Sequence, residues 1–172
     1  MRLTKRPPAE AGTTLVEVMV ATLISAAFFG SIFEVNAVCL RYINSSKENI
    51  SSIECVQDRL EQLRNLDFPT LLSTSGMTTL LTNPPNASQL PLKATETVII
   101  STFANGAPTS PTITFTRTPG ASVVPTHTPA GTVDFGANTL VQVDVIYTWS
   151  STFGGRSLSE KTSTVLAAGT KK

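Results

Sequence analysis

Histidine is nearly absent from this chain: His127 is the only one in 172 residues. It lies in a proline-, glycine- and threonine-rich stretch, residues 119–136, where an imidazole is more readily solvated than a ligand or base. No Cys/His cluster has the spacing of a zinc site. Serine-nucleophile chemistry would have to recruit the same His127, and no Gly-x-Ser-x-Gly turn occurs. Gly154-Gly155 lacks a phosphate-binding context and reads as a turn, while Asp134 and Asp144 are scattered. The expectation is a protein that is not an enzyme and takes no metal or cofactor.

Charge is also scarce. Charged residues make up 15% of the chain and the formal net charge is +1, where soluble domains carry about a quarter charged residues. A nearly neutral chain offers no basic footprint, so no nucleic-acid partner is expected. Serine, threonine, proline and asparagine fill the gap, a composition that suits an exported β-rich domain. Cysteine is limited to Cys39 and Cys55, both within one predicted helix. Their sixteen-residue separation corresponds to about 24 Å of helix, and a disulfide needs Cα atoms within about 7 Å. A continuous helix therefore excludes an intrachain bridge. Both read as small packing residues, with Cys39 placed to meet a neighbouring chain. Asn44, Asn49 and Asn86 head N-x-[ST] sequons, a motif frequent by chance.

What the chain does have is one long apolar run. Residues 15–33 are nineteen positions, about 28 Å as a helix, close to a hydrocarbon core of about 30 Å. Arg2, Lys5 and Arg6 precede it, which sets that end cytoplasmic by the positive-inside rule. Glu17 interrupts the start of the run. A carboxylate deep in a bilayer costs about 2.5 kcal/mol or more, so an acid in such a run marks a candidate functional residue. Glu17 lies two residues inside the run, within reach of the interface.

The segment Gly12-Thr13-Thr14-Leu15-Val16-Glu17, between a basic leader and an apolar helix, resembles the processing site of type IV prepilins and pseudopilins. The resemblance implies that a prepilin peptidase cuts after Gly12 and methylates the new amine of Thr13. Glu17 is then the fifth mature residue, the acid through which subunits assemble. Thr13 stands where phenylalanine or methionine is usual, and Glu10-Ala11 where basic residues are usual. No proline interrupts the apolar segment, which implies a minor pilin or type II secretion pseudopilin rather than a major fibre subunit. The implied partners are the prepilin peptidase, other pilins or pseudopilins, an inner-membrane assembly platform and membrane lipid. The implied location is the inner membrane, single-pass with the head in the periplasm, or the cell surface within a pilus. Two other readings stay open. One is an anchored β-rich binding domain that never polymerises. The other is signal-peptidase cleavage after Ser25-Ala26-Ala27, giving a chain that starts at Phe28. Against it, Glu17 breaks the apolar region, and apolar residues continue through Phe28, Phe29, Ile32, Phe33 and Val35.

The expected organisation is a leader (1–12), a membrane or filament-core helix (13–40) and a globular head (41–172). The fold class is α+β. The apolar half of one long helix is membrane-inserted, and its amphipathic half packs on an antiparallel sheet of about four strands. Arg41-Tyr42 reads as an interface anchor. Within helix 41–67, Ile43, Ile50, Ile53, Val56, Leu60, Leu63 and Leu66 form the expected buried face. Lys47, Glu48, Glu54, Asp58, Arg59, Glu61 and Arg64 form the expected solvated face. Asp67-Phe68-Pro69 stops the helix. Residues 69–92 read as a connecting loop whose Leu71-Leu72 and Leu80-Leu81 dock on the helix. The sheet spans 94–167, with strands at 94–103, 111–118, 139–151 and 156–167. Asn105-Gly106 supplies a hairpin turn, and 119–136 is an expected mobile excursion.

Overall fold

The computed structural model describes residues 14–131, 135 and 139–169. The expected leader, residues 1–12, lies outside them. Helix α1, Leu15–Asn65, is the first element. The chain divides into two compact units, residues 1–42 and 43–172. In the first, the described part is helix with its apolar side chains exposed on every side, Leu15, Leu23 and Phe33 each more than 70% so.

The second unit begins within α1. The helix buries Ser52, Cys55, Val56, Arg59, Leu60 and Leu63, a stripe at three- and four-residue steps. This corrects the face read from the sequence. Ile43, Ile50 and Ile53 are exposed. At about 100° per residue, Ile53 and Ile50 lie about 60° and 120° round from Val56, beyond the stripe. Val56, Leu60 and Leu63 keep their expected places.

Helix α1 ends at Asn65, and the segment expected as loop holds two short helices. Asp67 caps α2, Phe68–Leu72, by accepting a hydrogen bond from Thr70 N at 3.3 Å. Pro69 falls in the first turn of α2, where its missing N–H costs nothing. The proline that stops one helix thus starts the next. Ser73 caps α3, Thr74–Thr82, with its hydroxyl 3.4 Å from Gly76 N. Gly76 is required there, because a Cβ would stand 2.7 Å from Thr70 Cγ2 and 2.9 Å from the Thr70 carbonyl oxygen. Leu71, Met77 and Leu81 are buried in the core. A single 3-10 turn, Leu90–Leu92, leads into the sheet.

Five strands follow: β1 (Thr95–Ala104), β2 (Ala107–Arg117), β3 (Val124–Thr128), β4 (Leu140–Ser150) and β5 (Ser157–Ala167). Their order is β3-β2-β1-β4-β5, every pair antiparallel. Asn105 (φ 54°) and Gly106 (φ 78°) turn β1 into β2 in the left-handed region that two-residue hairpins demand. The fifth strand is β3, found within the stretch expected to be an excursion. Pro125 and the neighbouring Pro129 disguise it in the sequence, yet proline is tolerated on an edge strand. Val98 stands opposite Phe115 and Val145, and Ile100 opposite Ile113 and Val143. Those six side chains, with Val141, Tyr147 and Trp149, make the core face of the sheet. The other face carries Thr97, Thr112, Thr114 and Thr116 together with Gln142 and Asp144. The sheet's two ends differ: β3 is five residues long and contains Pro125, whereas β5 runs eleven residues without a proline.

Candidate functional site

Of the three residues singled out for processing and assembly, Gly12 and Thr13 lie outside the described residues, and Glu17 lies in the first turn of α1. A helix N-terminus leaves backbone N–H groups without intrahelical acceptors. Thr14 and Glu17 answer this reciprocally: Thr14 N donates to Glu17 Oε2 at 2.8 Å, and Glu17 N donates to Thr14 Oγ1 at 3.3 Å. The sequence Thr14-Leu15-Val16-Glu17 is thus a capping box. The carboxylate is exposed and turned back toward the start of the chain.

The turns that follow are built to be apolar outside. Thr22 Oγ1 donates to the Met19 carbonyl at 2.9 Å, and Ser31 Oγ to the Phe28 carbonyl at 2.7 Å. Both hydroxyls therefore need no partner outside the helix. Phe28 and Phe29 meet edge to face at 6.1 Å. Among the described residues, α1 is the one helix long and apolar enough to cross a membrane. It is unbroken through Ser25, Ala26 and Ala27.

A second constellation sits in the head. Arg59, expected on the solvated face, is fully buried, and so is Glu96 of β1. The Arg59 guanidinium grips Glu96 through Nε to Oε1 and through Nη2 to Oε2 at 3.1 Å. Arg117 of β2 approaches the same carboxylate, Nε to Oε2 at 2.9 Å. Two cations against one anion leave an excess positive charge, and backbone carbonyls absorb it. Arg59 donates to Asn83 O at 2.7 Å and Leu80 O at 3.3 Å, and Arg117 donates to Pro91 O at 3.1 Å. Gln62 joins by accepting from Arg59 Nη1 at 2.7 Å and donating to Pro85 O at 3.0 Å. Tyr147 faces Glu96 across the β1–β4 pair. Burial, then the Glu96 charge, push its phenol far above the usual range.

This cluster ties α1, β1, β2 and the stretch after α3 together. It is not open to a substrate, so its chemistry is that of a fastening. A signal for it exists in the sequence. Arg59 falls on the helical stripe of Val56, Leu60 and Leu63; Glu96 has the parity of Val98 and Ile100, and Arg117 that of Ile113 and Phe115. Charges of both signs on core parity are expected to meet.

The remaining candidates are dispersed. His127 lies on β3 opposite Ile113. Cys39 is exposed and Cys55 buried, both free thiols. Cys55 packs against Ser88 Oγ at 3.3 Å and Asn86 Oδ1 at 3.6 Å. The Asn86 amide donates to Asp58 at 2.7 Å, which occupies one of the three sequons. Among the described residues no three His, Cys, Asp or Glu side chains gather as a metal site would require. No protein-family model, curated protein or solved structure matches this chain.

Proposed function

We propose that this chain is a structural subunit of the type IV pilin kind, a minor pilin or type II secretion pseudopilin. In this reading it is cut after Gly12 by a prepilin peptidase, anchored by the apolar part of α1 and assembled through it. The observation that carries the reading is the exposed apolar run from Leu15 with a single acid, Glu17, in its first turn. The family resemblance of residues 12–17 supports it. So does the order of elements, a long helix followed by an antiparallel sheet.

The capping box gives the acid a physical role. After cleavage the terminal amine is that of Thr13, one residue before the Thr14 N–H that Glu17 already holds. Glu17 is therefore poised beside a cation in an apolar setting, where opposite charges attract strongly and each alone resists burial. In a lone subunit the pair closes within one chain. In an assembly the carboxylate takes the amine of a neighbour, which fixes the axial register. The other reading, an anchored domain that never polymerises, keeps the helix and needs no such exchange.

Coexpression with a prepilin peptidase is expected to remove the first twelve residues and leave an N-methylated Thr13, read by intact mass. A mass that starts at Phe28 overturns the reading in favour of signal peptidase. Glu17→Val is expected to spare insertion and cleavage while blocking incorporation. A Glu17→Val chain recovered in sheared filaments at the wild-type ratio refutes the role of the acid.

A further inference from the structure

The head holds a cleft of about 280 Å³ that neither the ionic cluster nor the apolar helix uses. Its walls are Lys47, Glu48 and Ser51 of α1 and Gln89, Leu90 and Lys93 around the 3-10 turn. The volume is just below the range of sites for drug-sized molecules.

The charges in the cleft are unequal. Glu48 is engaged elsewhere: its carboxylate accepts Thr152 N at 3.1 Å and the Thr152 hydroxyl. Among the described residues, neither Lys47 nor Lys93 is in an ion pair. The two lysines that line the cleft are therefore without a carboxylate bound to either. Ser51 Oγ is buried and has no hydrogen-bond partner. An atom closed off even from water does not reach a ligand in the cleft, so Ser51 shapes the wall and the two lysines carry the charge. Leu90 is buried at the cleft. Ile50 and Leu92, each 58% exposed, are the chain neighbours of Ser51 and Lys93. The neighbourhood thus offers cations, an amide and uncovered aliphatic surface.

We infer that the cleft formed by Lys47, Ser51, Gln89 and Lys93 binds the phosphate headgroup of an anionic phospholipid. The two lysines neutralise the phosphate, Gln89 donates to its oxygens, and Ile50 and Leu92 accept the glycerol and first methylenes. Sequence order favours a lipid over a free anion. Lys47 follows Leu40, the end of the apolar region, by seven residues, with Arg41-Tyr42 between as an interface pair. Lys47 is thus near in sequence to the expected interface segment, and cations beside a membrane are drawn to anionic headgroups. The inference rests on the anchoring half of the proposed function and not on assembly.

The test is native mass spectrometry of the full chain in a neutral detergent, titrated with phosphatidylglycerol or phosphatidylcholine of matched acyl chains. Wild type is expected to retain one phosphatidylglycerol in preference to phosphatidylcholine. The double variant Lys47→Gln/Lys93→Gln is expected to bind it at least about tenfold more weakly. Lys161→Gln, on a lysine paired with Asp144, is expected to bind as wild type does. Ser51→Phe fills the cleft and keeps both charges, and is expected to lose the lipid too; if it misfolds, the lysine pair alone decides. Retention by the lysine variant equal to wild type overturns the site. Displacement of the lipid by inorganic phosphate at equal concentration overturns the lipid in favour of a free anion. A chain extracted from membranes without detergent fails the anchor, whatever it retains. An anchored chain that holds both lipids alike fails the cleft alone.

Discussion

Glu96 is the residue on which most of the head's buried charge depends. Glu96→Gln keeps the shape and removes the anion between Arg59 and Arg117, leaving two buried cations facing each other. The expected loss is about 3–5 kcal/mol of unfolding free energy, measured by urea denaturation. An unchanged midpoint would show that water reaches the cluster. Replacing all three charges with apolar residues is not expected to restore stability fully, because the carbonyls of Asn83, Leu80 and Pro91 would lose their donors. On the opposite face, Asp144 behaves differently. Burial pulls its pKa up, but hydrogen bonds from Ser163, Gln142 and Lys161 outweigh it and hold the carboxyl below its ordinary value of 3.8. A carboxylate depressed in the folded state stabilises above its ordinary value and stops doing so as pH falls through the lower, folded one. The thermal midpoint is therefore expected to fall below about pH 4, and Lys161→Ala to flatten that acid limb. A limb of unchanged steepness in the variant would remove Asp144 from the account.

Helix α1 shows how far a pattern reaches. Its existence, its apolar first half and the burial of Val56, Leu60 and Leu63 were legible, because a three-and-four spacing is a direct imprint of helical geometry. Its facing was not. Ile50 and Ile53 are as hydrophobic as the residues that bury, and only the sheet that packs on the helix decides which stripe is covered. The same blindness put Arg59 outside, since a charge on a helix is exposed unless a partner from elsewhere meets it. Strand β4 was legible nearly to the residue, its alternation through Val141, Val143, Val145, Tyr147 and Trp149 matching one buried face. Strand β3 was hidden by its prolines, and helices α2 and α3 by their brevity. Their signals were the caps Asp67 and Ser73, not any periodicity. Leu60→Asp is expected to cost several kcal/mol, because an unpaired charge would enter the core. Ile50→Asp is expected to stay within about 0.5 kcal/mol, as surface changes do. Equal losses in the two variants would refute the observed facing.

At the scale of the whole molecule, two units of opposite character share one chain. The first has its apolar side chains outside. The second has a closed core, from Cys55 and Val56 to Trp149. A chain that begins at Arg41 is expected to stay in the soluble fraction and melt cooperatively, while the full chain pellets with membranes and resists carbonate extraction. A shortened chain that also pelleted would place a membrane contact in the head. The candidate processing site was readable only through its family likeness, since nothing in composition marks a bond for cleavage. The sheet's unequal ends have a consequence of their own. A short proline-bearing border repels a docking strand, and a long uninterrupted one accepts it. By length and proline content β5 is the better template of the two borders for an added strand, while its Glu160 and Lys161 are charges of the kind that discourage one. Two copies pairing antiparallel through β5 would close as a two-fold couple and terminate there, so strand addition at that border would not by itself build an open stack.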